Sequence, residues 1–433
     1  MNRLNDFSTI DTAAVVKAAE EFGTPLYVYD EGLILEQCKK CLDMPNAFGI
    51  TVRYAMKANS NRTLLKIISG AGLQIDASSL NEVIRANLAG VPFADIMLTT
   101  QEIHVGSARE KLEELMLLGM KYTVCSLRQL RLIGDFAAAN GITPAIRIHP
   151  GVGSGESATR NTGDDYSCFG IHLSDISEAN EYAGEKGIVF RHIHEHIGSG
   201  GDPELWRQNI DVELGIIEKH FPEAETVCFG GGLKEARTPD ERAADLTLLG
   251  NYAKERIGDF YKKTGRKLKT EIEPGTYILA NSGYAVTRVI DKKSTAKANF
   301  IIADGGMEIN SRPLLYGSRH PIYIISAGDG RLKSSEFSTD GGSCYKAVVA
   351  GKCCESGDCQ TLDTDGRTVA RAMAEPDTGD IAVIGGAGAY CSSMAPFNYN
   401  SHTQAPEVLY TKDGQLRLIR KRQTLEQMLE NEI

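Results

Sequence analysis

Nowhere in its 433 residues does this sequence hold an apolar run near the roughly 20 residues that a membrane-spanning helix requires. Its first stretch, MNRLNDFSTIDTAAVVKAAEEFG, is polar and amphipathic, without the apolar centre of a signal peptide, and a cytoplasmic protein is expected. An excess of basic charge is missing as well. Lys and Arg number 47 against 57 Asp and Glu, and the net charge of −10 repels nucleic acid and anionic membrane at long range. The 10 cysteines are too dilute for a disulfide framework. Cys38 and Cys41 form a CxxC with no second pair or histidine cluster at zinc spacing, so they read as inert thiols, and no metal site is expected.

What remains is an ordinary globular composition, 42% hydrophobic and 24% charged, over a length that suits one barrel plus a smaller domain. From residue 50 onward, short β-rich segments end in polar or glycine-containing turns, and each is followed by a helix-like stretch. The expected strands are 52–59, 72–79, 95–100, 122–126, 144–150, 190–198, 226–232 and 267–275. Eight strands alternating with helices point to a closed (β/α)8 barrel over 31–280, and an open doubly wound sheet is the weaker reading. After residue 280 the texture becomes strand-like at 285–293, 300–306, 321–328, 346–354 and 381–388, as in an antiparallel β domain. TPLYVYD (24–30) is a further strand that precedes the barrel. Residues 1–30 and 281–433 are therefore expected to share the second domain, with a strand and a short helix closing the chain.

In a parallel barrel the active site lies at the carboxyl ends of the strands. Lys57 ends the first strand, where an amine among apolar neighbours loses its proton more readily and suits Schiff-base chemistry. The sixth strand runs into HIGSGG and the seventh into FGGG. Glycine turns of this kind bring backbone N–H groups close to an anion, which makes Ser199, Gly231 and Gly232 candidates for a phosphate site. The eighth strand ends in EPG. A carboxylate at Glu273 would keep a pyridine nitrogen protonated and the ring a better electron sink. Lysine, phosphate cradle and carboxylate are together the protein parts that pyridoxal 5'-phosphate requires.

The motifs YAMKANSN (54–61), HIGSG (196–200), FGGGL (229–233), EPG (273–275), RPLLYG (312–317), CESGD (354–358), GAY (388–390) and NYN (398–400) follow in order. Through them the chain resembles the fold type III pyridoxal-phosphate decarboxylases, and within that family most the diaminopimelate decarboxylases. The resemblance implies that Lys57 forms the Schiff base with the cofactor, that His196 stacks on its ring and that Glu273 binds the ring nitrogen. It also implies that Ser199, Gly232 and Tyr390 hold the phosphate or its surroundings, with Gly231 and Gly275 bordering the cofactor, and that Asp76 and Arg147 support ring and lysine. A barrel-mouth salt bridge is the other reading of Asp76 and Arg147. His194, two residues before His196, falls outside the motif and reads as structural.

Relatives share active sites between subunits. The resemblance thus implies a homodimer in which Cys354 and Glu355 enter the partner's barrel mouth, the thiol donating a proton and the carboxylate receiving a substrate ammonium. Thr276, Arg312, Tyr316, Glu355 and Tyr390 are the implied contacts to the far end of an amino-acid substrate. The implied reaction is decarboxylation of meso-diaminopimelate to L-lysine. Two alternatives stand beside it: a D-lysine or D-ornithine decarboxylase, and an inactive relative that only binds. Two departures bear on the choice, since Thr276 stands where relatives carry arginine and SHTQAP (401–406) replaces the usual stretch after NYN.

Overall fold

The computed structural model describes residues 10–151, 153, 162–163, 166–198, 202–335 and 345–433. They form two compact units, one of residues 38–234 and 243–275, the other of residues up to 37, 235–242 and 276–433.

The first unit is a closed parallel barrel. Its strands are Ile50–Ala55, Gln74–Ala77, Ile96–Thr99, Lys121–Val124, Ala145–His149, His192–His194, Thr226–Cys228 and Lys269–Ile272. They pair in chain order, and the last closes on the first through Thr270↔Ile50 and Ile272↔Val52. All eight strands expected from the sequence are present. Strands such as IMLT (Ile96–Thr99), buried at every position, have helices on one face and the barrel interior on the other, so they read as apolar runs rather than alternations. The helices between them start on side-chain caps. Ser79 Oγ accepts from the Glu82 amide at 3.2 Å and Ser126 Oγ from the Gln129 amide at 3.1 Å, each replacing an intrahelical bond that the first turn lacks. Inside the barrel, the buried Arg53 Nε lies 2.9 Å from Glu271 Oε2, and His192 Nε2 lies 3.2 Å from Glu271 Oε1. Burial alone would raise Glu271, but with His192 and the Arg53 guanidinium beside it the carboxyl is held down to about 2.

The second unit is a ten-stranded sheet. At its centre Leu26–Asp30, buried along its whole length, pairs antiparallel with Gly283–Ser294 and parallel with Glu407–Tyr410. Both chain ends thus meet in one sheet. Val15, Ala18 and Ala19 of the helix Thr12–Phe22 pack with Leu26, Val28, Val286, Val383 and Val408 into one apolar core. The sheet is mainly antiparallel, but Leu26–Asp30 with Glu407–Tyr410 and Asn299–Ala303 with Tyr345–Ala350 pair in parallel. Leu332–Ser335, Arg371–Met373 and Glu407–Tyr410 are strands that the sequence pattern did not mark. Residues 31–37 and 235–242 also count with this unit rather than with the barrel. The second of these segments is held there by polar contacts: Arg237 Nε donates to Gly386 O, Asn281 Nδ2 donates to Ala236 O, and Arg319 pairs with Asp240.

Candidate active site

The first barrel strand stops at Ala55, and Lys57 lies in the single helical turn Met56–Ala58 that follows. Met56 and Ala58 are buried while the Lys57 side chain is exposed. The surroundings differ from the apolar ones expected. Lys57 acts electrostatically on Asp76, Glu82, His196 and Glu273, which places its ammonium among carboxylates at the strand ends. Asp76, in the second strand, is raised well above the usual carboxylate range by burial and by Glu273, with Lys57 opposing both.

Glu273 follows the eighth strand and is bound through both oxygens. His194 Nε2 donates to Oε2 at 3.0 Å, and Cys228 Sγ donates to Oε1 at 3.5 Å. Burial alone would raise Glu273, but the His194 hydrogen bond and the Lys57 charge hold it well below its ordinary value. Burial lowers His194 in turn, and Glu273 offsets only part of that. The two shifts compete for one proton. A neutral imidazole donating Nε2–H to an ionised carboxylate satisfies both, with Lys57 supplying the nearby positive charge. His194 therefore belongs to the site, contrary to its reading as structural, because its Nε2 reaches the Glu273 carboxylate.

His196 Nδ1 accepts the Gly231 amide at 3.1 Å, which puts the ring proton on Nε2. Burial, then Lys57, pushes the imidazole well below its ordinary value, so its ring is neutral. Gly231 thus gives its N–H to His196 and not to an anion. The glycine run makes this approach possible: a Cβ on Gly231 would lie 2.8 Å from Glu273 O, one on Gly230 (φ +63°) would strike Glu195 O, and one on Gly232 (φ +87°) would meet Gly198 O at 2.7 Å. A cleft beside these turns is lined by Ile197, Gly198, Asp202, Trp206, Gly232 and Lys234. It adjoins the N-terminus of the helix Pro203–His220, where the partial positive charge suits an anion. Gly275 is buried just past Glu273. Ser199 lies outside the described residues.

These groups fit pyridoxal phosphate on their own chemistry. Asp76 Oδ1 and Arg147 Nε and Nη2 are buried and have no hydrogen-bond partner among the described residues. Such orphaned groups cost free energy unless a ligand or water meets them. Arg147 lies over the Phe169 ring at 5.0 Å instead of in the salt bridge with Asp76 that was its other reading.

The remaining candidates gather in the second unit. Arg312, in the one-turn helix Arg312–Tyr316, is 1% exposed and flanked by the Tyr316 ring at 5.6 Å and the Tyr390 ring at 5.8 Å. Tyr390 takes a left-handed backbone (φ +57°), a strain that a tyrosine rarely bears. Cys354 and Glu355 are exposed. The Cys354 amide donates to Asn400 Oδ1 at 2.8 Å, and Tyr399 Oη donates to Glu355 Oε2 at 3.3 Å, so CESGD and NYN form one structure. Hydrogen bonds from the Gly357 amide, Ser356 and Tyr399 hold Glu355 below its ordinary value. Asp358 anchors the loop from beneath, accepting the amides of Met307 and Cys353 at 2.6 Å each. Thr276 opens the short helix Thr276–Leu279 and is half-buried. Sequence reasoning passed over Cys228, Tyr399 and Asn400. NYN was quoted only as a motif, and nothing marked Cys228, a thiol in an apolar strand.

The pyridoxal-binding domain of the pyridoxal-dependent decarboxylases matches residues 34–280. Diaminopimelate decarboxylase of Escherichia coli K12 is 33% identical over 425 residues, covering 97% of this chain and 96% of that protein. A crystal structure of a diaminopimelate decarboxylase superposes with a TM-score of 0.88 at 32% identity, over 99% of this chain and 98% of the other. The Helicobacter pylori diaminopimelate decarboxylase complexed with L-lysine superposes at 0.77, with 27% identity over 96% of this chain and 98% of the other.

Proposed function

Since the chain belongs to the pyridoxal-dependent decarboxylase family, we propose that it decarboxylates meso-diaminopimelate at the D-configured carbon, giving L-lysine and carbon dioxide. The observation that carries this reading is the barrel mouth, where an exposed lysine, an ionised carboxylate and a neutral histidine share one site with a glycine cradle. Lys57 Nζ would hold the aldehyde carbon of the cofactor until the substrate amine replaces it. His196 would offer a flat uncharged face, Glu273 would keep the ring nitrogen protonated, and Gly232, Ser199 and Tyr390 would serve the phosphate. Asp76 and Arg147, with their unpartnered atoms, support ring and lysine. Bound pyridoxal phosphate supplies the electron sink that takes up the pair left when the carboxylate departs.

The chain's own side chains complete the reaction. Cys354 Sγ delivers the proton that replaces the lost carboxylate, and Glu355, ionised, binds an ammonium group of the substrate. Both act in the barrel of a second copy, so the active unit is a homodimer. The cytoplasm is the proposed compartment. Nine cysteines of the described residues are free thiols, as a reducing environment leaves them, and no helix there is long and apolar enough to cross a membrane.

Thr276 favours a second reading, in which the substrate is D-lysine or D-ornithine, because a threonine brings no charge to a distal carboxylate. Purified enzyme offered meso-diaminopimelate, D-lysine and D-ornithine in parallel, with the product amines identified, decides between them. L-lysine from diaminopimelate as the dominant product supports the proposal; cadaverine or putrescine as the dominant product overturns it.

A further inference from the structure

We propose that Cys228 is a positioning residue for the cofactor site, its thiol fixing the Glu273 carboxylate from the side opposite His194. The inference rests on the reading above, in which Glu273 meets the ring nitrogen of pyridoxal phosphate.

A carboxylate on a glutamate stem turns easily about its last bond, and a single donor does not stop it. Glu273 has two donors on two oxygens: His194 Nε2 at 3.0 Å on Oε2 and Cys228 Sγ at 3.5 Å on Oε1. The barrel register explains why these three meet. Cys228 ends the seventh strand, paired laterally with His194 on the sixth and with Glu271 on the eighth, two residues before Glu273. The backbone is tied at the same place, with the Glu195 amide donating to Cys228 O at 3.0 Å and the Glu273 amide to Gly230 O at 2.8 Å. All three side chains are at most 7% exposed, so bulk water does not compete for the carboxylate.

The chemistry of the thiol suits this task. A thiol is a weak donor, so it orients the carboxylate without drawing off much of its charge, and each oxygen keeps a lone pair for the ring N–H. Burial, followed by the charges of Glu273 and Glu271, raises the Cys228 thiol well above its ordinary value. It therefore stays protonated and remains a donor. The same shift sets Cys228 apart from a nucleophile, which needs the thiolate.

The test uses apoenzyme of the parent, Cys228→Ala and Cys228→Ser, titrated with pyridoxal phosphate while the visible absorption is followed across pH, with thermal melting as a check on folding. Loss of one hydrogen bond from a neutral donor should weaken cofactor affinity about three- to tenfold in Cys228→Ala and shift the pH dependence of the bound chromophore. Cys228→Ser, which restores a donor, should recover the parent values to within about twofold. A Cys228→Ala protein with parental affinity and spectrum overturns the proposal. So does a Cys228→Ser protein that folds but binds as weakly as the alanine variant, because the effect would then come from packing. If the parent itself fails to bind pyridoxal phosphate, the functional reading falls and not this inference alone.

Discussion

Glu195 and Glu213 bring their carboxyl groups together in a fully buried seam, where residue 195 follows the sixth barrel strand and residue 213 lies on the helix Pro203–His220. Asn209 is buried beside them and hydrogen-bonds to Glu195. Two carboxyl groups in contact can bond only through a proton that one of them carries. Burial raises Glu195 to about 8, against the Glu213 and Asn209 hydrogen bonds and the Arg147 charge. Burial, and then the Glu195 charge, raises Glu213 well above its ordinary value, with Glu273 adding to the effect.

The sign of the pH dependence follows. A carboxyl whose folded value is raised binds its proton more tightly in the native state, so its stabilisation is complete below about pH 4.3 and is lost as pH rises through its folded value. Between roughly pH 4.5 and 8 the pair should cost stability at up to about 1.4 kcal/mol per pH unit for each retained proton. Glu213→Gln replaces one proton holder with a neutral amide. Denaturant unfolding measured across that range should show a shallower loss for the variant than for the parent. Equal slopes would mean that the seam holds no proton.

Lys57→Ala should remove the visible absorption of covalently held cofactor and lower turnover by several orders of magnitude, since no other amine has been placed at this strand end. Absorbance spectra and initial rates of purified protein test this. Parental turnover in the variant would refute the role of Lys57.

The eight barrel strands were legible because each is short, apolar and followed by a polar or glycine turn, a pattern that needs no long-range information. Lys57 and Glu273 could be placed at strand ends for the same reason, whereas His196 was singled out only by the resemblance. Strand Glu407–Tyr410 was not legible, because its parallel pairing with Leu26–Asp30 depends on residues about 380 positions away. His194 and Cys228 were missed for a different reason. A histidine and a thiol inside apolar strands read as core, and only the register that aligns them beside Glu273 gives them a role. The Gly231 amide was assigned to an anion when it in fact serves His196, which a one-dimensional glycine pattern cannot distinguish.

Site sharing between subunits is open to complementation. Cys354 lies on an exposed loop tied to Asn400, outside the barrel. Lys57→Ala and Cys354→Ala subunits, each inactive alone, should regain activity on mixing. Random reassortment restores up to about one quarter of the sites, because each heterodimer holds one intact and one doubly defective site under two-fold symmetry. If subunit exchange is demonstrated by mass and no activity returns, Cys354 acts within its own chain.

Thr276 makes the sharpest claim about substrate. The family resemblance implies an arginine there, which would bind the distal carboxylate of diaminopimelate through a charge-assisted, often bidentate pair. Threonine offers only a neutral hydroxyl, and the Arg312 guanidinium is buried between two tyrosine rings and already donates to Ser318 Oγ at 3.2 Å. A hydrogen bond to a charged group is worth about 1.5–3 kcal/mol, or roughly ten- to a hundredfold in specificity. D-lysine lacks that carboxylate, so the added arginine has nothing to bind in it. Thr276→Arg should therefore raise the ratio of kcat/KM for diaminopimelate over D-lysine by about that factor, measured on folded, cofactor-loaded protein. An unchanged or lower ratio would show that position 276 does not read the distal carboxylate, and the discrimination would then have to come from elsewhere in the site.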